Sequence, residues 1–137
     1  MKLTIIRSAV SMFHNGLDKL ADPEGFAQFV VGEHLSFLPD FFDATQWTYA
    51  AAGVELLCPV LLLAGFFARP SAFALFTTMS AAVAFHLDET GSEGFPLAVV
   101  PQHQYGFEAA LLYAAIFLYL TLAGPGKLSA GGGWGSD

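Results

Sequence analysis

Charged residues are scarce in this chain of 137 residues, making up only 12% of it. Because soluble domains carry about 25% charged residues, this shortage and a mean hydropathy of +0.56 predict a membrane protein. The single cysteine, Cys58, excludes an intrachain disulfide and a CxxC redox motif. With 5 basic residues against 12 acidic ones, the chain also lacks the positive surface that nucleic acid binding requires.

Apolar residues are concentrated in four segments. A spanning helix needs about 20 such residues, and the stretch LLCPVLLLAGFF has no polar face that would suit a soluble bundle. The sequence therefore predicts an all-α integral membrane four-helix bundle over residues 1–129, followed by a flexible glycine-rich tail at 130–137. The predicted spans are residues 3–17, 46–68, 71–87 and 105–123.

A short amphipathic helix is predicted between the first two spans. Asp22 suits a helix N-cap, and Pro23 suits the first helical position. Apolar residues then recur on one side, which is typical of a helix at the membrane interface. Pro39 is predicted to break this helix before the second span. The apolar side is formed by Phe26, Phe29 and Val30.

The basic residues predict the orientation of the chain in the membrane. Four spans place both termini on one side, and that side carries four of the five basic residues, all except Lys19. Because cytoplasmic loops carry the excess of Lys and Arg, we expect both termini on the cytoplasmic or equivalent side. Membrane lipid and other integral membrane subunits are the expected partners. The four residues are Lys2, Arg7, Arg69 and Lys127.

Four ionisable residues are predicted to meet in the half of the membrane farthest from the termini. His14, Glu55, His86 and Glu108 each come from a different span. Ionisable groups inside a membrane usually face the bundle interior and pair with each other. A row on the first span, spaced by four, three and four residues, supports this convergence. It consists of Arg7, Ser11, His14 and Asp18.

Carboxylates beside imidazoles could relay protons or hydrogen-bond a quinone headgroup, because imidazole titrates near neutrality. Tyr105 and Phe107, with Phe85 and Tyr113, supply aromatic surface for such a ligand. The same polar groups could instead only hold the helices together. The cofactor stays open, since quinone, chlorophyll, carotenoid and haem all remain candidates.

A metal or haem site would draw on the histidines and glutamates of the predicted cluster. The chain has no HExxH or CxxC motif, so the sequence assigns no metal site. His34 is expected to be an exposed residue of the interfacial helix. The ligands available to such a site would be His14, His86 and His103 with Glu55 and Glu108.

Several segments resemble the DoxX-like family of small four-span membrane proteins. FHNGLDKL, residues 13–20, resembles the HG-x-x-K end of that family's first span, and residues 53–70, GVELLCPVLLLAGFFARP, resemble its second. A histidine late in the third span, a glutamate early in the fourth, and GPGKLS at 124–129 also fit. Two departures are Asn15, inserted between the histidine and the glycine, and Cys58-Pro59, where the family usually has glycines.

The resemblance implies a redox-associated membrane protein. Some members of the family are similar to the membrane subunit of a thiosulfate:quinone oxidoreductase, and others associate with redox or detoxifying enzymes. Lys19 would serve an anionic group, and the other implied positions are His14, Glu55, His86 and Glu108. The alternative is a non-catalytic accessory subunit of a larger respiratory or photosynthetic complex, holding lipid or pigment.

Overall fold

The computed structural model describes residues 2–93, 95–97 and 105–124, and every regular element in this part of the chain is helical. The all-α prediction is therefore confirmed. The predicted glycine-rich tail at 130–137 and His103 lie outside the described residues. The helices are α1 (Lys2–Ala21), α2 (Pro23–Phe26), a π-helix (Ala27–His34), α3 (Ala44–Ala64), α4 (Ala68–Thr90) and α5 (Glu108–Ala123).

Helix α1 is longer than the apolar run that predicted it, because it continues through the polar HNGLDK segment to Ala21. The chain has no strong helix breaker until Asp22 and Pro23. Asp22 then caps α2 as predicted, since its side chain accepts a hydrogen bond of 3.0 Å from the Gly25 N–H. The polar residues therefore lie within a helix and not in a loop at its end.

The interfacial segment begins where the sequence predicted and then changes its helical type. After α2 it adopts a π-helix from Ala27 to His34, which the sequence analysis did not predict. The helix ends at His34, five residues before Pro39, which was expected to break it. Short π-helical segments are rare and are often found at functional sites.

Helices α3 and α4 are joined by a tight turn at Gly65 to Phe67. Asp43 and Gln46 form a reciprocal capping box that starts α3. Gly65 ends it with a left-handed conformation at φ 71°, and the Phe66 N–H donates back to the Leu61 carbonyl at 2.9 Å. The second predicted span was therefore too long at its C-terminal end, and the third was too short at its start.

Both α3 and α4 are long and apolar enough to cross a membrane. Their outer surfaces carry large apolar side chains, for instance Leu57 and Leu63 on α3 and Phe73 on α4. Their buried positions include the polar residues Thr48, Glu55 and Ser71. This arrangement, with apolar residues outside and polar groups inside, is typical of helices in lipid.

The four long helices pack against one another in a series. α1 packs against α3, α3 against α4, and α4 against α5, and side chains of α1 and α5 belong to the same buried core. We call the end of the bundle that holds the start of α1 and the end of α5 the closed half, and the opposite end the open half. Apolar residues fill the closed half, namely Ile5, Met12, Cys58, Leu62, Ala68, Ala72, Leu75, Met79, Ala114, Phe117 and Leu120.

Candidate functional site: a cavity in the open half

A cavity of about 870 Å³ occupies the open half, bounded by all four long helices and by the π-helical segment. Small-molecule sites are usually clefts of about 300–1,000 Å³ with apolar walls and a few polar groups. The polar and ionisable residues that line this cavity are Ser11, Asn15, Asp18, Lys19, Glu55, Thr77, Thr78, His86 and Tyr113.

Alanine pairs create the space. Three helices each contribute two consecutive alanines to the wall, where a larger apolar residue would fill the interior of the bundle. One such pair lies in each of the last three predicted spans, and none of these alanines was among the predicted site residues. The wall alanines are Ala50, Ala51, Ala81, Ala82, Ala109 and Ala110.

The strongest polar contact in the cavity wall joins α1 to α3. The Lys19 Nζ donates a hydrogen bond to the Glu55 Oε2 at 2.6 Å, and the side chains are 13% and 1% exposed. The ammonium also lies 5.0 Å from the centre of the Phe26 ring. A buried charge is costly without a partner, and this contact makes each group the charge partner of the other.

Gly16 brings Lys19 close enough to reach Glu55. A Cβ atom at Gly16 would lie 2.8 Å from the Leu56 Cγ and 3.2 Å from the Ala52 carbonyl oxygen, so only glycine allows this approach of α1 to α3. Lys19 follows three residues later, on the same side of α1. The glycine and the lysine of the FHNGLDKL segment therefore act together.

His86 lies on the cavity wall near the end of α4. Its side chain is 34% exposed, and its Nδ1 lies 3.7 Å from the Glu89 Oε2. Gly106 passes close to the ring, since a Cβ atom at that position would lie 3.7 Å from the same Nδ1. His86 can therefore meet a ligand near the outer end of the cavity, well separated along α4 from Thr78.

The structure does not bring His14 to the cavity. Its side chain is 74% exposed, and its Nε2 lies 3.4 Å from the Asp18 Oδ2. Five residues separate His14 from Lys19, which places the two side chains about 140° apart around the helix. The predicted row from Arg7 to Asp18 lies along the boundary between the buried and the exposed face of α1. His14 lies on the exposed side of this boundary.

Glu108, Tyr105 and Phe107 also lie outside the cavity wall. Glu108 is half-buried at the first turn of α5. The rings of Tyr105 and Phe107 stack at 5.6 Å, and Phe95 packs edge-on against both. This aromatic cluster secures the start of α5, while the neighbouring Gly106 provides the contact with the cavity.

The π-helical segment covers the cavity from the open end. His34, predicted to be exposed, is only 18% exposed, and its Nδ1 lies 2.7 Å from the Asp88 Oδ2 at the end of α4. The rings of Phe29 and Phe85 pack edge-on against the imidazole, each at 5.1 Å. The expectation for His34 was therefore wrong, because the α4 helix extends past its predicted end and carries Asp88 to this segment.

The family model for DoxX matches residues 3–87. This chain belongs to the DoxX family. The match includes Lys19, Glu55 and His86 and ends before α5, so Tyr105, Phe107 and Glu108 lie beyond the matched segment. The family resemblance read from the sequence is thus confirmed for the part that contains the ion pair.

An uncharacterized protein from Haemophilus influenzae is 38% identical over 77 residues, which are 56% of this chain and 53% of that relative. The chain thus spans about half the length of the curated relative that it matches. No solved structure matches the chain.

Proposed function

We propose that the chain is a four-span membrane protein whose open half binds a quinone-type headgroup. Helices α1 and α5 would provide the two further spans beside α3 and α4. Exposed leucines on both helices support this placement, among them Leu17 on α1 and Leu112 and Leu122 on α5. The distribution of Lys and Arg favours both termini on the cytoplasmic or equivalent side.

The observation that carries the proposal is the Lys19–Glu55 ion pair in the wall of a cavity between apolar helices. An ammonium can donate a hydrogen bond to a quinone oxygen, and a carboxylate can accept one from a quinol. His86 would donate or accept a hydrogen bond near the outer end of the cavity.

Tryptophan fluorescence can test the headgroup site. The chain has two tryptophans, and Trp47 lines the cavity. The Trp134→Phe variant removes the other one, so that its fluorescence comes from Trp47 alone. A tail-less benzoquinone should quench Trp47 in the purified protein, and Glu55→Gln should weaken the apparent affinity at least about tenfold, as expected for loss of a charged hydrogen bond. Glu108→Gln is the matched control, because Glu108 does not line the cavity.

Equal binding by the Glu55→Gln and Glu108→Gln variants would contradict the proposed role of the ion pair. Far-UV circular dichroism of both variants separates loss of binding from loss of fold. His86→Gln should have a smaller effect than Glu55→Gln, because His86 lies on the more exposed part of the cavity wall.

A second candidate function, that of an accessory subunit in a larger membrane complex, is favoured by the outer face of α1. His14 is exposed there beside Phe13 and Leu17. His14 lies seven residues, about 10 Å, from the end of α1, and polar groups that face lipid are costly. A partner helix would cover them, and an intact-complex mass in mild detergent, with an absorption spectrum for pigment, tests this.

A further inference from the structure

Asn15 is the only asparagine of the chain, and it lines the cavity from α1. Ser11 and Lys19, which also line the cavity, lie four residues before it and four residues after it. Residues four apart lie on the same side of a helix, one turn above each other. The side of α1 that faces the cavity therefore carries a row of three side chains that can form hydrogen bonds.

The helix itself does not require an asparagine at this position. Asn15 lies in the interior of α1, six residues before its end, where it cannot serve as a helix cap. Asparagine is also an unfavourable residue inside a helix. Among the described residues, no protein group forms a hydrogen bond with its side chain, which leaves the carboxamide available to a ligand.

Asn15 lies at nearly the same level of the bundle as Glu55. The next residue, Gly16, approaches α3 so closely that a Cβ atom would lie 2.8 Å from the Leu56 Cγ. Asn15 and Glu55 each precede one of these two residues, and one residue is a rise of only about 1.5 Å along a helix. The Lys19 side chain reaches this level as well, because its Nζ donates to the Glu55 Oε2 at 2.6 Å. A ligand held by the ion pair therefore lies beside the Asn15 carboxamide.

The two threonines of the wall cannot replace Asn15 as donors. Thr77 and Thr78 both donate their hydroxyl hydrogens to the Ala74 carbonyl of their own helix, at 2.8 and 3.0 Å, so that they offer a ligand only lone pairs. Asn15 adds a neutral donor beside the charged donor of Lys19. Two donors at one level suit two neighbouring acceptor oxygens, whereas the two carbonyl oxygens of a para-quinone lie at opposite ends of the ring.

We infer that Asn15 selects quinones that carry an alkoxy oxygen beside a ring carbonyl. Lys19 donates to the carbonyl oxygen, and the Asn15 carboxamide donates to the neighbouring alkoxy oxygen. A quinone with methyl groups in place of the alkoxy groups leaves the carboxamide without an acceptor, which lowers the affinity. This inference rests on the proposed function, and it adds the class of quinone and the residue that recognises it.

A pair of matched quinones tests this selection. A dimethoxy-dimethyl-benzoquinone with adjacent methoxy groups and tetramethyl-benzoquinone differ by two ether oxygens, and each is titrated against Trp47 fluorescence in the Trp134→Phe background. We expect the dimethoxy compound to bind at least about threefold more tightly, which corresponds to one neutral hydrogen bond. Asn15→Leu should abolish this difference. His14→Leu, on the exposed side of the same helix, is the matched control and should keep it.

The ratio of the two affinities separates the inference from the proposed function. If the two quinones bind equally to the protein with Asn15 in place, or if the ratio persists in Asn15→Leu, the inference is wrong and the headgroup site stands. If neither quinone quenches Trp47, the headgroup site fails and the inference fails with it. Should circular dichroism show that Asn15→Leu does not fold, Asn15→Ala provides the same test with a residue that favours helix.

Discussion

The two halves of the bundle use the same helices for opposite purposes. In the closed half, Met12, Leu75 and Phe117 are fully buried and fill the space between the helices. In the open half, alanine pairs and polar side chains surround a cavity of about 870 Å³. Since each long helix runs through both halves, one end supplies packing and the other supplies room for a ligand.

Two buried alanines of α5 illustrate the difference between the two halves. Ala110 and Ala114 lie one turn apart and are 8% and 5% exposed. Ala110 lines the cavity, whereas Ala114 belongs to the packed core with Phe117. Both residues are alanines and both are buried. The two positions differ in what lies opposite them, which is the cavity for Ala110 and packed side chains for Ala114.

The largest expected effect comes from breaking the ion pair that joins α1 to α3 in the open half. Lys19→Met leaves the buried Glu55 without its partner, and removal of one member of a buried pair costs about 3–5 kcal/mol. We expect the free energy of unfolding, measured by circular dichroism during titration with a denaturing detergent, to fall by that amount.

The double variant Lys19→Met with Glu55→Leu is the control, because it removes both charges. It should recover most of the lost stability, since apolar residues often replace a buried pair without loss. A small effect of Lys19→Met alone would mean that apolar contacts hold the open half as firmly as the closed half, and the contrast between the halves would fail.

A smaller effect on stability is expected from replacing Ala110 or Ala114 of α5 with a larger residue, and it should differ between the two positions. Ala114→Leu should lower the free energy of unfolding by about 1–3 kcal/mol, because overpacking a filled core forces side chains and backbone to shift. Ala110→Leu should change it by less, because its extra atoms enter the cavity. The same detergent titration measures both variants.

For quinone binding we expect the opposite order of effects from these two variants. Ala110→Leu should weaken quenching of Trp47 by a tail-less benzoquinone, whereas Ala114→Leu should leave it unchanged in the folded protein. If both variants destabilise the protein equally, Ala110 is as tightly packed as Ala114. The contrast between the open and the closed half would then be wrong.

Local signals in the sequence predicted most of the fold. Asp22 and Pro23 mark the start of α2, and the apolar runs predict the four long helices. The helix ends were less predictable, because Gly65 ends α3 through a left-handed conformation inside an unbroken apolar run. The π-helix that begins at Ala27 packs against α3 and α4, and these are long-range contacts that no local pattern records.

The sequence predicted only part of the cavity wall. Of the seven site residues named from the sequence, Lys19, Glu55 and His86 line the cavity, whereas His14, Tyr105, Phe107 and Glu108 do not. Which side chains meet depends on their angle around the helix axis, and this angle changes by about 100° with each residue along the helix. For this reason His14 was expected in the cluster, while Lys19, five residues later, is the residue that reaches Glu55.

The smallest expected effect concerns the contact that closes the open half. Asp88→Asn removes the charge opposite His34 and keeps an acceptor. Asp88 is exposed, and ion pairs at the surface contribute about 0.2–1 kcal/mol. We expect faster hydrogen exchange of the amides in the π-helical segment and unchanged exchange in the closed half. Glu89→Gln, beside Asp88, is the control and should have no such effect. Faster exchange throughout the bundle would show that the two halves open together and are not independent.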